Sequence, residues 1–169
     1  MVKRSGRQGV TFASVSTESG LAPATLAQRY GTRDEMLRAA LLRMWDHLDA
    51  ETAACDAQMP VTPAGAVAML ATLSDYGDQD DYAEGLLLPR EDLRDPLLRL
   101  RGEKWGAVLA QALGRRLTQD VERQGKLGRL MASQWQGALL WWGFSRDGSV
   151  VDAVVAAQLD WCDVALREE

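Results

Sequence analysis

The stretch that decides the fold is Thr11–Leu37, TFASVSTESGLAPATLAQRYGTRDEML. It predicts two short helices around a tight turn, followed by a capped entry into a third, longer helix. Gly20 lies at the turn, because glycine adopts a left-handed backbone at little cost. Pro23 suits the first helical position, where its missing N–H is not needed. Leu26 and Tyr30, four residues apart, give the second short helix a buried side.

The other side of this second helix is polar. Thr25, Gln28 and Arg29 lie between the apolar positions and point away from them. A short helix with an apolar back and a polar front that tolerates anions is what reading a DNA groove requires. The pattern therefore predicts a DNA-binding head near the amino-terminal end.

At fixed spacing, this stretch resembles the helix-turn-helix of TetR-family transcriptional regulators. The shared pattern has a Thr opening the first helix, an apolar residue four later, a glycine turn, and a polar tetrapeptide opening the long helix. Ser133–Ser149 also resembles the family's penultimate helix and the turn after it. The matching residues of the first stretch are Thr11, Val15, Ser19-Gly20-Leu21, Thr25, Leu26, Tyr30 and Thr32-Arg33-Asp34-Glu35.

The resemblance implies an all-α fold, with a DNA-binding head in residues 1–36 and a helical effector-binding and dimerisation bundle in residues 37–169. It implies a homodimeric, ligand-responsive regulator, most often a repressor, released from DNA by a small apolar or aromatic effector. Its two recognition helices would lie about 34–36 Å apart on a palindromic operator. Thr11 and Arg33 would hold phosphates. The residues that would face the major groove are Pro23, Ala24, Thr25, Gln28 and Arg29.

The sequence departs from the family pattern in two ways. Ala27 stands where the family usually carries a Tyr that touches DNA phosphate. The family also has a helix before Thr11, whereas residues 1–10, MVKRSGRQGV, contain two glycines and no apolar stripe. This predicts that the family's first helix is missing: either the coding start lies upstream or the head is incomplete. The alternative function is then a TetR-like ligand-binding dimer that does not bind DNA.

The charge of the chain is unevenly distributed. The formal net charge is -5, yet residues 1–33 carry five basic side chains against the single acidic Glu18. A basic end on an acidic body is typical of a protein that binds phosphate at one end only.

The rest of the chain reads as further helices. Thr32 and Glu35 form a capping box that opens a helix running to about Ala54, and its tilt would set the position of the recognition helix. A polar stretch at residues 74–82 predicts a loop, and a short helix is expected through Leu86–Leu88. The other predicted boundaries are starts at Thr62-Pro63, Asp95-Pro96 and Lys126, an end near Gly125, and a cap at Ser149 for the last helix. The predicted inner faces include Val108 and Leu130, and the predicted solvated residues include Arg115 and Arg116.

The last two predicted helices are apolar on more than one face, so each needs two partners. This predicts a two-fold dimer through a four-helix bundle, the interface that the resemblance also implies; the alternative is that these residues are all core of one protomer. The predicted interface residues are Trp135, Leu139, Trp142, Val154 and Trp161. Candidates for an effector pocket are Met69, Tyr76, Trp105 and Trp141, since tryptophans suit an apolar ligand. For each of these four, a plain core position is the competing interpretation.

Nothing in the sequence predicts an enzyme, a cofactor or a metal site. There is no nucleophile–base pairing, no phosphate loop, and a single histidine, and Cys55 and Cys162 have no metal or redox spacing. The longest apolar run is too short to span a bilayer, and no leader pattern indicates secretion. A cytoplasmic protein whose partners are double-stranded DNA, a small molecule and a second copy of itself is the expectation.

Overall fold

A computed structural model describes residues 9–75 and 93–167 of the chain. Every regular element in this described part is an α-helix, which confirms the prediction of an all-α fold. Tyr76, most of the predicted loop and the short helix expected at Leu86–Leu88 lie outside the described residues. The helices are α1 (Phe12–Ser19), α2 (Pro23–Tyr30), α3 (Arg33–Gln58), α4 (Pro63–Leu73), α5 (Pro96–Leu117), α6 (Val121–Ser145) and α7 (Val150–Ala165). Among them, none has both the length and the apolar character needed to cross a membrane.

The chain divides into two compact units. The first comprises Met1–His47 and Asp78–Gly102, and the second comprises Leu48–Gly77 and Glu103–Glu169. Helices α3 and α5 each begin in the first unit and continue into the second. The predicted boundary at residue 36, between a DNA-binding head and an effector-binding domain, stays a prediction.

The helix starts in the first unit follow from local capping chemistry. The Thr11 hydroxyl accepts a hydrogen bond from the Ser14 N–H at 3.0 Å, and the Ser14 hydroxyl accepts one from the Thr11 N–H. The Thr32 hydroxyl accepts from the Glu35 N–H, while a Glu35 carboxylate oxygen accepts from the Thr32 N–H at 2.9 Å. Each reciprocal pair satisfies donors that a helix start leaves free. The capping box predicted at Thr32 is thereby confirmed.

The core of the first unit includes a residue that precedes the quoted stretch. Val10 is buried together with Leu98 and three residues of α3, and the half-buried Phe12, Val15 and Tyr30 pack against this cluster. Gly9 is helical, and the Arg33 Nε–H donates to the Val10 carbonyl at 2.7 Å. Residues 9 and 10 therefore contribute more cover to the head than the sequence predicts. The remainder of the segment, residues 1–8, lies outside the described residues.

The first turns of α5 are joined to α3 within this unit. Asp95 accepts a hydrogen bond from the Leu97 N–H, as expected of the cap before Pro96, and also pairs with Arg38 at 2.5 Å. The hydrogen bond from Arg38 holds the pKa of the Asp95 carboxyl below its usual value. Arg101 pairs with Asp46 at 2.7 Å in the same way. These two ion pairs join α3 to the first turns of α5.

In the second unit, α7 packs against both α4 and α6. The hydroxyls of Thr62 and Ser149 cap α4 and α7, as the sequence predicts. The inner faces of these helices are apolar, and several of their side chains have no exposed surface. The buried residues of the three helices include Ala66, Met69, Leu70, Met131, Trp135, Leu139, Trp142 and Val154.

The junction between α5 and α6 differs from the sequence-based prediction. The structure ends α5 at Leu117 rather than near Gly125, and starts α6 at Val121, where the Asp120 carboxylate accepts from the Glu122 N–H at 3.0 Å. Gly125 is thus inside a helix. The neighbouring Gly128 allows close packing: a Cβ there would lie 1.8 Å from the Ala110 carbonyl oxygen. Glycine serves here to bring two backbones together rather than to stop a helix.

The prediction that Arg116 is solvated is wrong. Its guanidinium is fully enclosed and pairs with Asp56 at 2.6 Å. It also donates to the carbonyls of Ala112, Asp56, Met59 and Pro60. Three of these carbonyls are at or just beyond the end of α3, where helices leave acceptors unpaired. Val108 and Leu130, predicted to face inward, are 50% and 48% exposed.

Candidate functional site

The polar face predicted on α2 is exposed. Leu26 is 2% exposed and anchors the helix, and Tyr30 is half-buried. The side chains on the other side of the helix are exposed to solvent. The exposed residues are Pro23, Ala24, Thr25, Gln28 and Arg29, which are the five residues predicted to face the major groove.

The pair α1–α2 has the local geometry of a helix-turn-helix. Gly20 adopts a left-handed backbone, with φ of 72°, and its N–H donates to the Ser16 carbonyl at 2.9 Å. Only Leu21 and Ala22 then separate this glycine from Pro23, and the two helices pack on each other. The short connection fixes the direction of α2 relative to α1.

Arg29 is the cation of the exposed face. Its guanidinium carbon lies 5.5 Å from the centre of the Tyr30 ring, within the range of a cation–π contact. Since Tyr30 packs against the core of the unit, the contact gives the Arg29 guanidinium a fixed neighbour. The group can donate a pair of hydrogen bonds to a phosphate or to a guanine edge.

The two residues predicted to hold phosphates already have structural partners. The Thr11 hydroxyl is engaged with Ser14 in the capping box. Arg33 donates through Nε to the Val10 carbonyl, and one of its terminal nitrogens lies 3.4 Å from Asp34. About a third of the Arg33 side chain remains exposed. That Thr11 and Arg33 bind DNA phosphates stays a prediction, and both would have to do so while keeping these contacts.

The described candidates for an effector pocket do not line one cavity. Met69 is fully buried, whereas Trp141 is 71% exposed. Trp105 is half-buried, donates its indole N–H to the Thr52 hydroxyl at 2.9 Å, and lies 6.3 Å from the Trp135 ring. The fourth candidate, Tyr76, lies outside the described residues.

Trp141 borders an open groove between α6 and α7, with a volume of about 620 Å³. Small side chains make its floor and walls on both helices, and polar groups stand at its ends. The lining residues are Gln134, Gly137, Ala138, Trp141, Trp142, Ser145, Asp147, Ala153 and Ala157. The groove can take an aromatic ring, because its small residues leave room and its tryptophans offer faces to stack on.

Four of the five residues predicted at the dimer interface are buried inside the protomer. Trp135, Leu139, Trp142 and Val154 are at most 4% exposed, and Trp161 is half-buried. Such side chains have almost no surface left to bury against a partner, because they fill the contacts of α6 and α7 with their own chain.

A different apolar set on the same two helices is exposed. The Trp141 and Phe144 rings lie 5.7 Å apart and are 71% and 75% exposed. The two rings therefore form one exposed aromatic surface on α6. The other large apolar residues exposed on α6 and α7 are Val121, Leu130, Leu140, Leu159 and Val164.

Sequence reasoning missed Gln158, on the inner side of α7. Its side chain is fully buried, and neither its amide nitrogen nor its amide oxygen has a hydrogen-bond partner among the described residues. The available signal was a polar residue four positions after the buried Val154, on the apolar side of the helix.

Within residues 9–75 and 93–167, no cluster of three or more His, Cys, Asp or Glu side chains could hold a metal ion. Cys55 and Cys162 are free thiols. Burial raises the pKa of both, which makes them poorer nucleophiles at neutral pH.

Comparison with known proteins assigns no family. No protein-family model matches the chain. No curated protein matches it either.

Proposed function

We propose that this chain is a TetR-type, ligand-responsive transcriptional repressor that binds operator DNA as a homodimer. The observation that carries the proposal is the helix pair α1–α2, joined at the left-handed Gly20, with Leu26 buried and the polar face of α2 exposed. A packed helix pair that presents a short polar helix is the arrangement that inserts into a major groove.

Charge supports the same end of the molecule. Arg29 is exposed on α2, and Lys3, Arg4 and Arg7 precede α1 in the sequence. Because duplex DNA attracts such charges along its phosphates, the basic end would enter the groove while the acidic body stays away from it.

The proposal is tested by fluorescence anisotropy with labelled duplexes from the DNA upstream of the gene, over a range of salt concentrations. Wild-type protein should bind a palindromic segment tightly, and log K should fall steeply with log salt. Arg29→Ala should weaken binding by roughly tenfold or more, as expected for loss of a charged base or phosphate contact of about 1–3 kcal/mol. Arg123→Ala is the control, since it removes the same charge from an exposed position on α6.

The proposal fails if wild-type protein binds these duplexes no better than unrelated DNA at every salt concentration. It also fails if Arg29→Ala and Arg123→Ala weaken binding equally. In either case the chain is better described as a ligand-binding dimer without a functional head.

The homodimer is proposed through the exposed face of α6 and α7. Trp141 and Phe144 project beside a groove lined by Gly137, Ala153 and Ala157, so one surface carries both a projecting aromatic pair and room to receive one. A surface complementary to itself fits a two-fold axis, because each copy then offers the same patch to the other. Buried aromatic side chains are also the residues that dominate interface energetics.

Sedimentation velocity over a dilution series tests this interface. Wild-type protein should sediment as a dimer, and the double variant Trp141→Ser/Phe144→Ser should sediment as a folded monomer. Val121→Ser, at an apolar position of α6 that is 77% exposed, should leave the dimer intact. A monomeric wild type, or a double variant that remains fully dimeric, would show that this face does not join two copies.

Effector response is proposed to act through α3, a single helix that begins beside the DNA head and ends in the second unit. A ligand that favours one arrangement of the end of α3 would change the position of its beginning. Coupling of this kind typically amounts to about 1–3 kcal/mol, enough to change operator occupancy severalfold or more.

A further inference from the structure

Gln158 differs from the other buried polar residues that the structure describes. The buried polar residues of the described chain are Thr52, Ser74, Arg116 and Gln158. Thr52 accepts from the Trp105 indole, Ser74 accepts from the Trp135 indole at 2.7 Å and donates to the Leu70 carbonyl, and Arg116 is hydrogen-bonded throughout. Gln158 alone of the four has both amide atoms without a protein partner.

This exception is costly for a folded protein. A buried donor or acceptor that lacks a partner loses its hydrogen bonds to water and gains nothing in return. The amide also sits on a helix that packs on two others, so its position is fixed rather than free to reach solvent. No described residue of the chain supplies a partner for this group.

The surroundings restrict what that partner can be. The helices that pack on α7 bury apolar residues such as Met69, Leu70 and Leu139, and the buried cation Arg116 is already neutralised by Asp56. An ionised ligand would be held without a counter-charge, which is strongly unfavourable. An apolar site with one precisely placed polar group is instead typical of small-molecule binding.

The two helices that pack on α7 each contribute a buried methionine. Met69 and Met131 are both fully buried. Methionine has three flexible torsions and a polarisable sulfur, so it repacks around a new neighbour at lower cost than branched residues do.

We propose that Gln158 is the hydrogen-bonding group of an internal binding site for a neutral ligand that presents a donor and an acceptor side by side on an apolar body, as a primary amide or a lactam does. The carboxamide supplies the complementary pair, its NH2 donating to the ligand's carbonyl oxygen and its own oxygen accepting from the ligand's N–H. The inference rests on the proposed function only in regarding this ligand as the effector.

The test uses three small aromatic probes on the full-length protein: benzamide, N,N-dimethylbenzamide, which lacks the donor, and isopropylbenzene, which lacks both groups. Binding is followed by tryptophan fluorescence and by the side-chain amide resonances of Gln158 in ¹H–¹⁵N spectra. The variant Gln158→Met, which keeps the length of the side chain, identifies those resonances. Gln136→Met, at an exposed position of α6, is the matched control.

Benzamide should bind wild-type protein saturably and about tenfold more tightly than either other probe, as expected for a pair of hydrogen bonds. It should also shift the Gln158 resonances. The preference should vanish in Gln158→Met and persist in Gln136→Met.

Absence of saturable benzamide binding, equal affinity for the three probes, or an unchanged preference in Gln158→Met would overturn the proposal and leave an internal water as the partner of the amide. If Gln158→Met does not fold, the probe preference of the wild type decides alone. None of these measurements needs DNA, so failure of the regulator proposal and failure of this one are distinguishable.

Discussion

Substitution of Gly128 by alanine tests how closely α5 and α6 approach. A Cβ at Gly128 would lie 1.8 Å from the Ala110 carbonyl oxygen and 2.7 Å from its carbonyl carbon. The obstacle is backbone, so no side-chain rotation can relieve it. The helices would have to separate by roughly 1 Å before even a tight contact was reached, and overpacking of a core costs about 1–3 kcal/mol, with backbone clashes toward the upper end.

A gain in helix propensity opposes this cost. Alanine is better than glycine inside a helix by about 1 kcal/mol. The expected net loss for Gly128→Ala is therefore about 2 kcal/mol in the free energy of unfolding. For a chain of this size, that corresponds to a fall of roughly 4–8 °C in Tm.

The assay is thermal and urea unfolding followed by circular dichroism, at one fixed protein concentration because association would change the apparent stability. Gly106→Ala is the control, since Gly106 lies inside α5 and an added Cβ there meets nothing within 4 Å. Gly106→Ala should be neutral or stabilising. If the two variants had equal Tm values, the close approach of α5 and α6 would be refuted.

Two further predictions concern charged groups. Arg116→Met should lower the free energy of unfolding by about 3–5 kcal/mol in urea titrations, because it removes the enclosed partner of Asp56 and leaves several buried carbonyls without their donor. Arg115→Met removes the other partner of Asp56 at a position 45% exposed and should cost about 1 kcal/mol or less; similar losses for both variants would contradict the buried assignment. The side-chain and backbone hydrogen bonds from Thr32 lower the pKa of the Glu35 carboxyl from its usual 4.5. The stability that this cap contributes to α3 is therefore present above pH 4.5 and is lost as the pH falls through the lowered pKa. The Thr32 amide proton resonance should report this loss in wild type and show no such step in Glu35→Gln; an identical titration in both proteins would exclude the capping interaction.

Boundaries set by local chemistry could be predicted from the sequence. A hydroxyl at Thr11, Thr62 or Ser149 caps its helix through a bond to an N–H only three residues along the chain, so a short window contains the whole cause. The exposed face of α2 followed in the same way, because Leu26 and Tyr30 define its buried side by spacing alone.

The errors arose where the cause lies far along the chain. Gly125 looks like a helix end, whereas glycines in this region serve the packing of α5 on α6, and the actual cap, Asp120, is a weaker signal. Arg116 is drawn inside by Asp56 and by carbonyls at the end of α3, 56 to 60 positions earlier in the chain. Hydrophobic periodicity contains no information about such partners.

The burial of the predicted interface residues could not be read from the sequence for a related reason. A helix that is apolar on two faces reveals that it has two partners, but not which face meets its own chain. Trp135 and Leu139 are buried within the protomer, whereas Trp141 and Phe144 are exposed. Gln158 could be noticed only once its surroundings were known.

Consecutive residues Trp141 and Trp142 of α6 differ sharply in exposure, one being 71% exposed and the other 4%. The molecule thus contains its own pair of optical reporters, separated by a single peptide bond. Iodide should quench the outer indole in dilute solution and spare the inner one, and any event that covers the outer ring should reduce that quenching and shift its emission toward the blue. Once the other four tryptophans are replaced, fluorescence can therefore report any event that covers the Trp141 ring without an attached dye.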